Sequence, residues 1–293
     1  MRRRPPGPPP RRPSRPFYAR RSLNVETYDA RVKAEGTAID GDVAFYLDQA
    51  RRAGGPVLEA GAGTGRIAWP LARAGFRTVA LERSAAMLRV ARGKAHEHPA
   101  DVRRRLRFVR GDIRRFELGR RFPLVLVTFR TFQMLLTPAD QRAALATLRR
   151  HLTRGGTLVL DLFDPRLDWC HPAADPADAA ARARAAARSS ACLRRETLRH
   201  PETHNVVQVR VVSNDPDPLT QVLTQVWRFT ERGADGRILR REEETLRLRW
   251  THRQEMRWLL ELEGFEVEAE HSDFHGSPPA YGLEQVWIAR RPR

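Results

Sequence analysis

The sequence predicts an α/β protein, a doubly wound, Rossmann-like sheet of seven mostly parallel strands carrying an antiparallel β insertion. Three observations predict it. Short apolar runs alternate with helically spaced segments through the first half, a glycine-rich turn closes the first run, and strict apolar/polar alternation takes over after residue 205. Each element has its own signal. Apolar positions from Thr37 to Ala53 recur with a helical period and stop at Gly54-Gly55, which reads as a helix end. Strand-like runs follow at 57–60, 78–82, 106–111, 124–129 and 157–163, separated by helical spacing at 66–74, 84–97 and 139–152. Five such alternations put the ligand site at the carboxyl ends of the strands. Residues 205–213, 220–231 and 237–250 alternate, with a turn at 233–236. Thr251 and Gln254 read as a capping box opening a helix that closes at Gly264, and strands at 265–271 and 284–290 return to the main sheet.

This ordering divides the chain into a disordered Arg/Pro-rich tail (1–22), an α/β core (23–166), an Ala/Arg-rich linker or helix (167–204), a β lid insertion (205–250) and a C-terminal return to the core (251–293).

The 293 residues carry 53 Lys plus Arg against 35 acids, a formal charge of +18. Only Lys33 and Lys94 are lysines, so the excess is an arginine habit that loads solvated faces. Eight arginines fall among the first 21 residues, where there is no acid, leaving about +10 for the rest. Nucleic acid is therefore a partner only through that tail. No run of roughly 18 apolar residues offers a membrane span, and no apolar stretch behind the basic start suggests export, so a cytoplasmic location is expected. Cys170 and Cys192 form no disulfide framework, and neither Cys170-His171 nor His96-x-His98 has further partners at metal-ligand spacing, so no metal is expected.

The segment VLEAGAGTGRI, residues 57–67, carries the chemistry. A strand ends at Ala60, and Gly61, Gly63 and Gly65 turn the chain into a helix, letting backbone N–H groups approach a ligand without a Cβ in the way. Arg66 stands where the dinucleotide fingerprint wants its third glycine, and no Gly-Lys-Ser/Thr follows, so neither a dinucleotide site nor a P-loop is indicated.

Position by position the chain resembles the class I S-adenosylmethionine-dependent methyltransferases, through most of residues 25–290. The resemblance implies that Gly61, Ala62, Gly63, Thr64 and Gly65 hold the methionine part of S-adenosylmethionine, with Glu59 fixing loop and ligand. It further implies that Glu82, beside Arg83, accepts the ribose hydroxyls, and that Asp112 accepts the adenine amine between Met87 and Ile113. The run FPLVLVTFRTFQMLLTPADQ, residues 122–141, resembles a small-molecule branch of the family, in which Phe129 faces the methyl donor and Arg130 the substrate. Met134 stands where that branch often has His. The excursion at 205–250 resembles the substrate lid of small-molecule N-methyltransferases, and SDFHGSPPAYG retains Asp273, a candidate substrate contact, with His275 in place of an acid. Tyr28, Gln133 and His275 are the candidates for moving a proton.

The expected activity is methyl transfer to an amine or hydroxyl of a small-molecule acceptor. Two alternatives stand beside it: an RNA or ribosomal methyltransferase recruited by the tail, and a non-catalytic S-adenosylmethionine-binding scaffold. The chain lacks the Asn/Asp-Pro-Pro-aromatic motif of nucleic-acid amine methylation and the Pro-Cys nucleophile of cytosine C5 methylation. A small-molecule enzyme is expected to keep its activity without residues 1–21, and a homodimer fits the reading as well as a monomer does.

Overall fold

The computed structural model describes residues 15–32, 39–165 and 195–293. Strand β1 is Arg15–Pro16, followed by helices α1 (Leu23–Glu26), α2 (Tyr28–Val32) and α3 (Asp42–Ala53). The core then runs β2 (Val57–Ala60), α4 (Ala68–Arg73), β3 (Thr78–Glu82), α5 (Ala85–Gly93), α6 (Ala100–Arg105), β4 (Leu106–Arg110), β5 (Phe122–Val127), α7 (Pro138–His151) and β6 (Leu152–Phe163). Strands β7 (Arg195–Arg199), β8 (Val206–Asp217), β9 (Val222–Arg232) and β10 (Ile238–Arg249) precede α8 (Arg253–Leu262), β11 (Glu266–His271) and β12 (Glu284–Arg290).

The large sheet has the order β11-β12-β6-β5-β2-β3-β4. Five strands run parallel and β12 is antiparallel to both its neighbours. The chain winds outward from β2 through β3 to β4, then resumes on the other side with β5. This makes the crevice beyond the carboxyl ends of β2 and β5 the switch point at which such sheets bind ligands. Two apolar clusters sandwich the sheet. One joins Leu58, Val125, Leu158 and Leu160 to Leu145, Leu148 and Leu260, and the other joins Val57, Leu124 and Val159 to Tyr46, Ile67 and Leu71. Strands β2 and β5 read as nearly unbroken apolar runs because both of their faces are covered.

The second sheet is antiparallel over β7, β8, β9 and β10, with β1 added parallel to β10. Its inner face packs Val207, Val209, Trp227 and Phe229 against Phe17 and Leu23.

Several boundaries differ from the sequence reading. Residues 15–22 do not belong to a free tail: Phe17 and Leu23 are buried on the lid sheet, an apolar anchor hidden in a basic, Pro-rich context, while residues 1–14 lie outside the described residues. Most of the expected linker, with Cys170 and Cys192, also lies outside them, but its end forms β7, because 195–199 pairs in register with β8. Helix α3 starts at Asp42, after Gly41 in the left-handed region, rather than at Thr37. The cap of α8 falls one residue later than expected, where the His252 N–H donates to Glu255.

Candidate active site

A cavity of about 440 Å³ opens at the switch point, between the ends of β2, β3, β4 and β5 and the inner face of the lid sheet. The glycine loop forms its floor. The Gly61 and Ala62 N–H groups both donate to the Leu81 carbonyl, at 2.7 and 2.9 Å. Gly61 has φ +90°, and a Cβ there would stand 2.2 Å from Thr131 Cγ2, so the close crossing of the β5 loop requires glycine. Gly63, at φ +55°, faces open space, with only Met87 Cε at 3.7 Å from a hypothetical Cβ. Thr64 and Gly65 turn away from the cavity: Thr64 Oγ1 donates to Asp29 at 2.7 Å and Gly65 packs against Trp69 and Phe108. Lys94 ties the loop from outside, reaching the Thr64 carbonyl at 2.9 Å and Asp29 at 2.7 Å.

Three carboxylates border the cavity at successive strand ends. Glu59 is 1% exposed. Its Oε1 accepts from Thr128 at 3.0 Å and its Oε2 has no partner. Burial pushes its carboxyl up to about 8. Glu82 accepts the Gly63 N–H at 2.9 Å and the Ser84 N–H at 2.6 Å; burial raises its pKa, against those amides. Asp112 is gripped by Arg114, through Nη2 at 2.6 Å and Nε at 3.0 Å, and that hydrogen bonding lowers its pKa. Met87, Ile113 and Arg83 also line this side.

After β5 the chain takes a strained path, with Phe129 at φ +50° and Arg130 at φ +62°. Buried Asp161 holds it there, accepting the Phe129 N–H at 2.8 Å, the Arg130 N–H at 3.1 Å and the Tyr46 hydroxyl. Both residues line the cavity, Arg130 bound to Glu284 at 2.6 Å.

The cavity brings Tyr28 together with Glu59, Glu82 and Asp112, its ring edge-on to Phe129 at 6.1 Å. Burial raises the Tyr28 pKa well above that of a free phenol, so it is neutral near pH 7. The other two proton-transfer candidates are elsewhere. Gln133 is fully buried and bridges Phe163, accepting its N–H at 3.1 Å and donating to its carbonyl at 3.4 Å, which uses the amide for packing β6. The His275 side chain is 62% exposed, over Gly41 and 3.9 Å from Asp40. Asp273 builds the adjoining turn, accepting the His275 and Ser277 N–H groups at 2.9 and 3.0 Å, and does not line the cavity.

Other lining residues escaped the sequence reading: Phe17, Tyr18, Arg31, Thr128, Trp227, Leu246 and Leu248. Trp227, Leu246 and Leu248 had a signal in the lid's alternation, but nothing in the pattern said which face meets the core. The N-terminal arm, residues 15–22, had only the Phe17-Tyr18 pair. Its backbone crosses from lid to core, the Tyr18 N–H donating to Glu244 at 3.2 Å and its carbonyl accepting from Ser84 at 2.6 Å. Among the described residues, no group of three His, Cys, Asp or Glu side chains is placed to hold a metal ion. No helix among them is long and apolar enough to cross a membrane.

A family model described as a methyltransferase domain matches residues 57–156, the stretch that contains the glycine loop and the three carboxylates. Residues 57–156 thus carry a methyltransferase domain, and the chain as a whole resembles the class I S-adenosylmethionine-dependent methyltransferases. Cypemycin N-terminal methyltransferase from a Streptomyces species is 30% identical over 141 residues, covering 48% of this chain. The match spans 55% of that relative's length. Among solved structures, the CcbJ methyltransferase from Streptomyces caelestis aligns over 95% of this chain and 99% of its own, with a TM-score of 0.69 and 24% identity. The glycopeptide N-methyltransferase MtfA in complex with S-adenosylmethionine aligns over 89% of this chain and 90% of its own, at a TM-score of 0.54 and 26% identity. The residues here fit that cosubstrate on two observations: the unpartnered, buried Glu59 Oε2 at the cavity, and a glycine cradle at Gly63 that a side chain would occupy.

Proposed function

We propose that this methyltransferase transfers a methyl group from S-adenosylmethionine to an amino group of a small molecule or short peptide. One observation carries the reading: the glycine-loop and carboxylate motifs converge on the same cavity as an aromatic wall of Tyr18, Tyr28, Phe129 and Trp227. An amine is preferred to a hydroxyl because MtfA is named as an N-methyltransferase and the cypemycin enzyme as an N-terminal methyltransferase. The small number of cysteines suits a cytoplasmic enzyme.

In this reading the Gly61–Gly63 backbone and Glu59 hold the amino-acid end of the cosubstrate, Glu82 the ribose, and Asp112 with Met87 and Ile113 the adenine. When bound, S-adenosylmethionine supplies a methyl group on a sulfonium leaving group. The protein's work is alignment and exclusion of water, and orientation of this kind is worth roughly 7–11 kcal/mol in favourable cases. A strong base is not required, because an amine attacks in its neutral form. In the same reading Tyr28, a neutral phenol lining the cavity, orients the acceptor.

The test incubates the full chain with S-adenosylmethionine and a panel of amino sugars, amino acids and short peptides, reading S-adenosylhomocysteine release and the methylated product by mass spectrometry. Calorimetry showing that neither S-adenosylmethionine nor S-adenosylhomocysteine binds would overturn the reading.

A further inference from the structure

The cavity contains a buried cation that cosubstrate binding, as described above, does not use. Arg31, on α2, lines it and is 5% exposed. Its Nη2 donates to the Asn24 carbonyl at 2.9 Å and to the Asn24 side-chain oxygen, while its Nε–H has no acceptor. These are neutral partners, and among the described residues no carboxylate forms an ion pair with it. Glu244 reaches it only through Asn24, whose Nδ2 donates to Glu244 at 2.6 Å. Tyr18, hydrogen-bonded to Arg31, is a phenol pushed up to about 12, chiefly by burial, and so supplies no negative charge near neutral pH.

The other cavity arginines are either paired or wet. Arg66 forms a two-point contact with Asp42, Arg130 is bonded to Glu284, and Arg83 and Arg110 are exposed. Arg31 is held instead by the neutral Asn24 and Tyr18 and by rings, with Phe229, Tyr28 and Trp227 centred 5.3, 5.9 and 5.9 Å from its guanidinium carbon. Aromatic faces recover part of the desolvation cost, but a buried guanidinium with an open N–H is stabilised most by an anionic oxygen. Phe229 and Trp227 belong to β9, so this cation stands on the lid side, whereas the three lining carboxylates stand at core strand ends.

We propose that the methyl acceptor is an amine that also bears a carboxylate, and that Arg31 binds that carboxylate under the lid. The inference rests on the methyl-transfer reading above. One open N–H among apolar walls suits a planar monoanion. A phosphate dianion would bury a second charge that nothing nearby balances.

The experiment saturates the protein with S-adenosylhomocysteine and titrates it calorimetrically with a panel of free amino acids, their carboxamides, the decarboxylated amines and O-phosphoethanolamine. At least one amino acid should bind, and its affinity should exceed that of its carboxamide at least tenfold. Arg31→Gln should bring the two within about twofold, with S-adenosylhomocysteine affinity unchanged, and Arg31→Lys should restore part of the difference. Three results overturn the proposal: no amino acid binds the saturated protein, carboxamide or phosphate binds as well as carboxylate, or Arg31→Gln weakens S-adenosylhomocysteine as much as the acceptor. The wild-type comparison needs no variant, so a misfolded Arg31→Gln does not rescue the idea. Failure of S-adenosylhomocysteine itself to bind the wild-type protein would sink the methyl-transfer reading instead.

Discussion

The Gly63 N–H donates to Glu82 Oε2 at 2.9 Å, so the glycine loop after β2 and the acid at the end of β3 form one device. The acid shapes the loop as well as facing the cavity. Glu82→Gln exchanges a charged acceptor for a neutral one at both the Gly63 and Ser84 amides. We expect S-adenosylhomocysteine affinity to fall about 10- to 100-fold, since bonds to charged groups contribute roughly 1.5–3 kcal/mol. Calorimetry measures it, and an unchanged affinity would remove Glu82 from the site.

Gly61→Ala places a Cβ 2.2 Å from Thr131 Cγ2 at a backbone φ of +90°. The conformation alone costs about 1–3 kcal/mol for a non-glycine residue. The variant should melt at a lower temperature and lose cosubstrate binding more than tenfold. Gly54→Ala, also at positive φ but with nothing within 4 Å, should share only the melting penalty.

The Glu59 carboxyl, pushed up to about 8, has a definite sign in stability. Its folded-state value lies above the unfolded one of about 4.3, so between these values the folded chain binds more protons. Glu59 therefore destabilises the ligand-free protein increasingly as pH rises from about 4.3 to 8. Glu59→Gln should melt higher than wild type at pH 8, with little gain at pH 4, yet bind S-adenosylmethionine more weakly. Equal pH dependence of the two melting curves would refute this assignment.

Asp161 satisfies the Phe129 and Arg130 amides and the Tyr46 hydroxyl inside the core. Asp161→Ala leaves three donors unpaired, the Tyr46 hydroxyl buried and the two amides partly so, and frees the left-handed turn, at a cost on the order of 3 kcal/mol or more. Denaturant unfolding should show the loss, and activity should fall even under conditions where the variant is folded.

The arm reverses an expectation drawn from composition. Because Phe17 and Tyr18 form part of the cavity wall, removing residues 1–21 should weaken S-adenosylhomocysteine binding at least tenfold, whereas removing residues 1–13 should change it less than twofold. Equal affinities for the two truncated proteins would show that the arm is dispensable.

Much of the core was legible because each signal is local. Strands buried on both faces must be apolar runs, as VLEA and LVLVTF are, and a sharp turn close to neighbouring atoms needs glycine, as at Gly61. The acids at strand ends, Glu59, Glu82 and Asp112, could be counted off once the strands were placed. Gln133 and His275 misled because residue type says nothing of where a side chain points. The Gln133 amide turns inward to the β6 backbone and His275 outward to solvent.

By itself, then, the sequence determined the α/β winding, the glycine loop and the ordered carboxylates, since hydrophobic period and backbone sterics act over a few residues. The tertiary structure decided what closes the cavity. The arm, α2 and the lid sheet meet only after the chain has folded back on itself, with Tyr18 bonded to Glu244 some 226 residues away. No local pattern encodes that distance. It also left Arg31 without a countercharge of its own, because the acid that balances an arginine is chosen by packing, not by proximity in the chain.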